Sequence, residues 1–127
     1  MTHSDFHNAF KRHQNDAGLL WDNHRKANAD HLYGLAAECA LKALLLKQGV
    51  ELKRCKEHIN KLWDIYISFM QTRKTYSISE ENPFADWNVS QRYDNEDSIT
   101  KEVVQKHRLA VLEVEKIVRK AELDGVL

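Results

Sequence analysis

The sequence predicts an all-α protein, an up-and-down bundle of four to five helices with an ordered loop, about 72–93, before a long last helix. One proline and four glycines in 127 residues leave few points at which a helix must end. Apolar residues recur at spacings of three and four in several segments, which is typical of a helix face. This length suits one domain with one core, so we assign 1–127 to a single helical domain.

The first helix is predicted to end near Arg25. Ser4 is a suitable N-cap, and Asp5 lies in the opening turn. The apolar face consists of residues three or four apart: Phe6, Phe10, His13, Ala17, Leu20 and Trp21. Asn23 and Asn28 are the expected break points before the second helix.

The second helix, about Ala29 to Gln48, gives the strongest helical signal. Four alanines keep its side chains short: Ala36, Ala37, Ala40 and Ala43. Leucines surround much of its circumference, which predicts a helix at the centre of the bundle. Gly49 is a suitable C-terminal stop.

The third helix is predicted from the run HINKLWDIYISFMQ, which starts at His58. The segment 72–93 loses helical periodicity and contains the proline, but its apolar residues indicate an ordered loop with room for a short helix or hairpin. The last helix is expected from Asn95 or Glu96 to Leu123, with Gly125 ending it.

Charge is balanced overall but uneven along the chain. The net charge is zero, which argues against a general role in coating duplex nucleic acid. Six basic residues lie between Lys42 and Lys61, and six acidic residues lie between Glu80 and Asp97. These segments suit a nucleic-acid site, a pair of complementary surfaces, or two solvated patches, and the sequence leaves all three open.

The two cysteines, Cys39 and Cys55, do not form a disulfide framework. The first residues are polar and charged rather than typical of a signal peptide. No apolar stretch approaches the roughly 20 residues of a membrane span. We therefore expect a cytoplasmic protein with no membrane partner.

A polar stripe on the second helix comprises His31, Gly34, Glu38 and Lys42. Glu38 and Lys42 lie four residues apart with the acid first, so they can pair directly. If the helix is central, the stripe must face a cavity, a partner chain or a buried network, because unpaired buried charge is costly. The stripe then lines a nucleotide or RNA site, or it is a structural pair on an exposed strip.

His58 follows a basic connection that contains Lys53, Arg54 and Lys56. Neighbouring cations favour the neutral imidazole, a useful state for a general base, although a capping or packing histidine is the alternative.

Phosphate-binding glycine loops and nucleophile elbows are absent from the sequence. Two pairs have metal-ligand spacing, His3 with His7 and Cys55 with His58, but neither has a second pair, so we expect no metal and no cofactor.

Four successive features of the sequence resemble the HEPN superfamily. They are the run ADHLYGLAAECALKALL, the basic connection after it, the run HINKLW, and the dipeptide RY before a long helix. The resemblance covers about Phe6 to Leu123. Members are compact helical bundles, commonly dimeric, found in prokaryotic toxin–antitoxin and phage-defence systems. The resemblance implies a homodimer, an RNA or nucleotide ligand, and a nucleotidyltransferase or antitoxin as protein partner.

Many HEPN proteins are metal-independent endoribonucleases with an Arg, four to six residues and a His near the last long helix. This chain departs from that pattern. Arg25 and His31 have the required separation, but they straddle the first two helices. Only three residues separate Arg54 from His58, one too few for the motif. The next histidine after Arg92 is His107, which is too far along the chain. The first hypothesis is therefore a binding module. An active endoribonuclease using His58 or His107 with Arg92 is the second, and a structural protein-interaction module is the third.

The resemblance assigns roles to particular positions. His58 and Arg92 are the catalytic candidates, His58 for proton transfer and Arg92 for phosphate contact. The ligand-binding candidates are Glu38, Lys42, Arg54, Tyr93 and Trp87. Tyr93 could hydrogen-bond or stack on a base. Trp63 and Trp87 are aromatic candidates for which packing in the core is the favoured role.

Overall fold

The computed structural model describes residues 5–51, 53 and 56–127. The described residues form four helices and no strand: α1 (Phe6–Asp22), α2 (Lys26–Lys47), α3 (Ile59–Met70) and α4 (Lys101–Leu123). Two short 3₁₀ helices, Val89–Tyr93 and Glu96–Ser98, precede α4. The predicted all-α bundle is confirmed. The predictions for His3, Ser4, Arg54 and Cys55 concern positions outside the described residues.

Helix α2 is at the centre of the bundle, as its apolar circumference predicts. It packs against α1, α3 and α4, and nearly all of its side chains from Ala36 to Leu45 are buried. The alanines allow α1 and α4 to approach closely, and the leucines fill the space around them. Across the described residues, no helix is long and apolar enough to pass through a bilayer.

Capping groups explain why some helix ends differ from the predicted ones. Asp5 is the N-cap of α1, because its carboxylate accepts the N–H of Asn8 at 2.9 Å. α1 ends at Asp22, three residues before the predicted Arg25, and His24 adopts φ 61° in the turn. Of the two expected break points, Asn23 is confirmed as the C-cap of α1, whereas Asn28 is wrong because it lies inside α2. The second helix begins at Lys26, three residues before its predicted start.

The predicted start of the last helix at Asn95 or Glu96 is also wrong. Asn95 instead caps the 3₁₀ helix Glu96–Ser98, and its side chain accepts the N–H of Asp97 at 2.9 Å. Thr100 is the N-cap of α4, with its hydroxyl accepting the N–H of Val103 at 3.3 Å. The apolar periodicity predicts one helix in this segment, but two polar caps five residues apart divide it into a 3₁₀ helix and α4.

The loop between α3 and α4 is ordered because α3 side chains bond to its backbone. The Tyr66 hydroxyl donates to the carbonyl of Tyr76 at 2.6 Å, and the indole N–H of Trp63 donates to the carbonyl of Ser79 at 2.9 Å. Phe84 and Trp87 of the same loop are fully buried. The predicted short helix within it is the 3₁₀ helix Val89–Tyr93.

Trp87 lies directly over Gly34 on α2. Its indole N–H donates to the carbonyl of Asp30 at 3.1 Å, one turn before Gly34. A Cβ atom placed on Gly34 would overlap the indole ring. Gly34 therefore provides the close approach that lets the loop pack against the central helix.

We predict that Gly34→Ala lowers the free energy of unfolding by about 1–3 kcal/mol, because the added methyl group displaces Trp87. Chemical denaturation measures the change. Gly18→Ala is the matched control: Gly18 is also helical, and no atom lies within 4 Å of an added Cβ. This control should be neutral or stabilising by up to about 1 kcal/mol. Equal effects of the two substitutions would contradict the role assigned to Gly34.

Candidate functional site

Glu38 is a buried carboxylate that joins two helices. It is only 7% exposed, and one of its oxygens lies 3.1 Å from the ammonium nitrogen of Lys42. The other oxygen accepts the backbone N–H of Ile59 at 3.1 Å and lies 3.1 Å from Nδ1 of His58. The expected Glu38–Lys42 pair therefore exists, and it belongs to a buried network rather than to an exposed strip.

Ile59 is the first residue of α3, so Glu38 acts as the cap of a helix that it does not belong to. His58 is the N-cap residue, but its own side chain makes no capping hydrogen bond. The carboxylate satisfies one of the free N–H groups at this helix start and lies at the positive end of the helix dipole. Lys42 balances the remaining charge, and its own side chain is 10% exposed.

One ring nitrogen of His58 is in contact with Glu38, and the other can contact a ligand. Glu38 contacts Nδ1, whereas Nε2 has no hydrogen-bond partner within the described residues. The side chain is 48% exposed. A carboxylate that orients one imidazole nitrogen while the other meets solvent is a common arrangement for histidines that bind phosphate or transfer protons.

His13 on α1 and His31 on α2 lie near the same carboxylate. Burial lowers the pKa of His31, the charges of Arg92 and His13 lower it further, and Asp30 and Glu38 act in the opposite direction. Burial also lowers the pKa of His13, as does the neighbouring Arg12, against Asp16 and Glu38. Both rings are therefore mainly neutral at neutral pH.

The Nδ1 atom of His31 is buried and has no hydrogen-bond partner within the described residues. Its ring stacks on Trp87, with centroids 6.0 Å apart and planes 10° apart. Such buried polar atoms are uncommon in folded proteins, and each one calls for a water molecule or a ligand. We refer to His13, His31 and His58, on or near which Glu38 acts, together with Arg92, whose charge acts on His31, as the histidine face.

Arg92 and Tyr93 lie at the end of the 3₁₀ helix Val89–Tyr93, and both are exposed. One guanidinium nitrogen of Arg92 donates to the carbonyl of Val89 at 2.6 Å, and the group lies 4.5 Å from the centre of the Tyr93 ring. Tyr93 is 78% exposed, so one face of its ring remains free for stacking.

Four of the predicted residues are buried. Glu38 and Lys42 pair with each other, Trp87 of the loop is 1% exposed against the central helix, and Trp63 is fully buried in the core. The packing role favoured for the two tryptophans is what the structure shows. Burial raises the pKa of the Cys39 thiol to about 11, which makes this cysteine a poor nucleophile at neutral pH.

His107, which the sequence offered beside His58 as a catalytic histidine, belongs instead to a second buried network that was not predicted. Nδ1 of His107 lies 2.6 Å from a carboxylate oxygen of Asp30, and Nε2 lies 2.9 Å from one of Asp86. The Gln91 side chain donates to the second oxygen of Asp30 at 2.6 Å. Since His107 and Asp30 are each 1% exposed, this network joins α2, α4 and the loop rather than meeting a substrate.

A histidine in an apolar stripe could have indicated this network, because a buried imidazole requires a polar partner. The sequence did not identify the partner, since Asp30 precedes His107 by 77 residues. Phe84 covers the ring, with centroids 4.8 Å apart and planes 18° apart.

Comparisons of the chain with family models, with curated proteins and with solved structures give no match. The described residues contain no group of three or more His, Cys, Asp or Glu side chains placed to hold a metal ion.

We predict that Asp86→Asn lowers the free energy of unfolding at neutral pH by about 1 kcal/mol. The effect is this small because the carboxylate is partly exposed and solvent weakens its interactions. Burial raises the pKa of Asp86, but hydrogen bonds from Lys106 and His107 outweigh it and hold the pKa below the ordinary 3.8. A lowered pKa means that the ionised carboxylate stabilises the fold.

The difference between Asp86→Asn and the natural protein should therefore shrink as the pH falls below 3.8 and through the lower pKa of the folded state. Urea denaturation across a pH series measures it. Asp94→Asn, at an exposed position of the same loop, is the control and should change little at any pH. A difference that is constant with pH would refute the role of the ionised carboxylate.

Proposed function

We propose that this chain is a HEPN-like helical module that binds the phosphates of RNA or of a nucleotide at the histidine face. The observation that carries the proposal is the contact of Glu38 with Nδ1 of His58, beside two further histidines, His13 and His31, on which the charge of Glu38 acts. The charge of Arg92 acts on His31 in turn. These groups recognise phosphate oxygens by charge and by hydrogen bonding.

The dimensions of the face favour an RNA strand over a single phosphate. His31 and Glu38 are seven residues apart on one helix, which corresponds to about 10 Å along its axis. Tyr93, beside Arg92, offers an exposed ring for base stacking. The resemblance to HEPN proteins adds the expectation of a homodimer acting in a defence or toxin–antitoxin setting, with a nucleotidyltransferase or antitoxin as partner.

We predict that Arg92→Ala weakens the binding of a fluorescein-labelled single-stranded RNA about tenfold and makes the salt dependence of binding shallower, because a phosphate contact is lost. Fluorescence anisotropy at two salt concentrations measures both quantities. Arg119→Ala is the matched control, since Arg119 is an exposed arginine on α4 that pairs with Glu115. Absence of RNA binding by the natural protein at low salt would contradict the proposal, as would equal affinities of the two variants.

Binding should also depend on pH through His31. Because burial holds its pKa below 6.5, the ring gains its charge only in mildly acidic solution, where a bound phosphate favours the charged form. We predict that RNA affinity rises as the pH falls below about 6.5 and that His31→Asn removes most of the rise. An affinity that is equally pH-dependent in this variant would exclude His31 from the face.

The Glu38–His58 contact favours a second candidate function, a metal-independent endoribonuclease in which His58 transfers the proton of a ribose 2′-hydroxyl and Arg92 steadies the phosphate. Cleavage of RNA in the presence of EDTA, lost in His58→Ala and retained in His7→Ala, would support it. Intact RNA after incubation with folded protein would exclude it and leave the binding function standing.

A further inference from the structure

A pocket of about 450 Å³ lies where the end of α1, the following turn and the starts of α2 and α4 meet. It is lined by Trp21, Asp22, His24, Lys26 and Lys101. None of these residues belongs to the histidine face, and the sequence analysis assigned a function to none of them. Its volume falls within the range of about 300–1,000 Å³ that is usual for small-molecule sites.

Two lysines and one carboxylate, that of Asp22, line the pocket, so its charged side chains carry a net positive charge. Its two lysines, Lys26 and Lys101, have no carboxylate within ion-pair distance among the described residues. The first turn of α2 contains no acidic residue. The nearest carboxylate contact at this helix start is a long one, 3.4 Å from the backbone nitrogen of Ala27 to Glu96. A small anion held between the two ammonium groups would offset this charge.

Trp21 gives the pocket an aromatic wall. Trp63 and Trp87 are buried, whereas Trp21 is partly exposed at the end of α1. An indole ring accepts a planar ring by stacking, whatever the substituents of that ring. Asp22, beside it, is suited to accept hydrogen bonds from the hydroxyl or amino groups of such a ligand.

His24 lines the pocket from the turn that follows α1. It is the one described residue other than glycine with a positive φ, at 61°. This conformation places its imidazole on the turn between Asp22 and Lys26. The left-handed conformation ends α1 in the usual way, since the N–H of Arg25 donates to the carbonyl of Leu20 at 2.8 Å.

From these features together, we propose that the pocket binds a planar ring that carries a phosphate monoester, as in a nucleoside 5′-monophosphate. The ring stacks on Trp21, and the phosphate lies between Lys26 and Lys101 within reach of His24. The same chemistry occurs in a free mononucleotide and at the 5′-phosphorylated end of an RNA strand. The inference stands on residues separate from the histidine face and does not rest on the proposed function.

The intrinsic fluorescence of the protein provides the first test, with adenosine 5′-monophosphate (AMP) as the probe. Stacking on the partly exposed Trp21 should quench its emission in a saturable way, while the two buried tryptophans report that the fold is intact. Adenosine and inorganic phosphate, each carrying half of the recognised chemistry, should bind at least about tenfold more weakly than AMP. Isothermal titration calorimetry checks the affinities in Trp21→Phe, which loses the optical signal but keeps an aromatic wall.

Charge variants provide the second test. The double substitution Lys26→Ala with Lys101→Ala should weaken AMP binding at least about tenfold, since both ammonium groups are lost. Lys116→Ala, at an exposed position of α4 outside the pocket, is the matched control and should leave the affinity unchanged. Failure of AMP to bind to folded protein at millimolar concentration would overturn the inference. Equal affinities of the double variant and the control would also overturn it.

Two further comparisons separate the sources of the ligand and the two sites. A preference for a short RNA with a 5′-phosphate over the same RNA with a 5′-hydroxyl, abolished by the double substitution, would assign the pocket to RNA ends. Binding of AMP without such a preference would assign it to free mononucleotides. The quenching of Trp21 reports on the pocket, whereas RNA anisotropy reports on the histidine face, so a failure of the histidine face to bind RNA would leave this inference intact.

Discussion

Two buried carboxylates on α2, Asp30 and Glu38, determine how the rest of the chain is arranged around this helix. A carboxylate without partners in the core would cost several kcal/mol, so each requires donors from other segments. Glu38 takes them from Lys42, His58 and the first N–H of α3. Asp30 takes them from the loop and from α4. The positions of α3, of α4 and of the loop are thus linked to charges on one central helix.

The helices themselves could be predicted from local sequence, because the apolar period of α2 and the alanines along it depend on near neighbours alone. The start of α4 could not, because the choice between Asn95 and Thr100 as its cap depends on the short 3₁₀ helix between them. A break at Asn23 was predicted, but the positive φ of His24 was not, since at a residue other than glycine it leaves no pattern in a single sequence.

In the candidate site, too, only contacts between residues close in the sequence could be predicted. The Glu38–Lys42 pair follows from a spacing of four on a helix, and the sequence predicted it. The contact of Glu38 with His58 spans 20 residues, and that of Asp30 with His107 spans 77, so no spacing rule applies to either. Trp87 attracted attention as a stacking residue because it is aromatic. Only the close approach at Gly34 shows that its indole is covered by the central helix.

The separation between Asp30 and His107 also affects the order in which the protein can fold during its synthesis. When α1 and α2 first leave the ribosome, Lys42 is already present for Glu38, but the partners of Asp30 are still to be made. Asp30 must therefore stay hydrated while the N-terminal helices associate, because burying it alone would be unfavourable. The packing of α2 around Asp30 therefore requires residues of the loop and of α4.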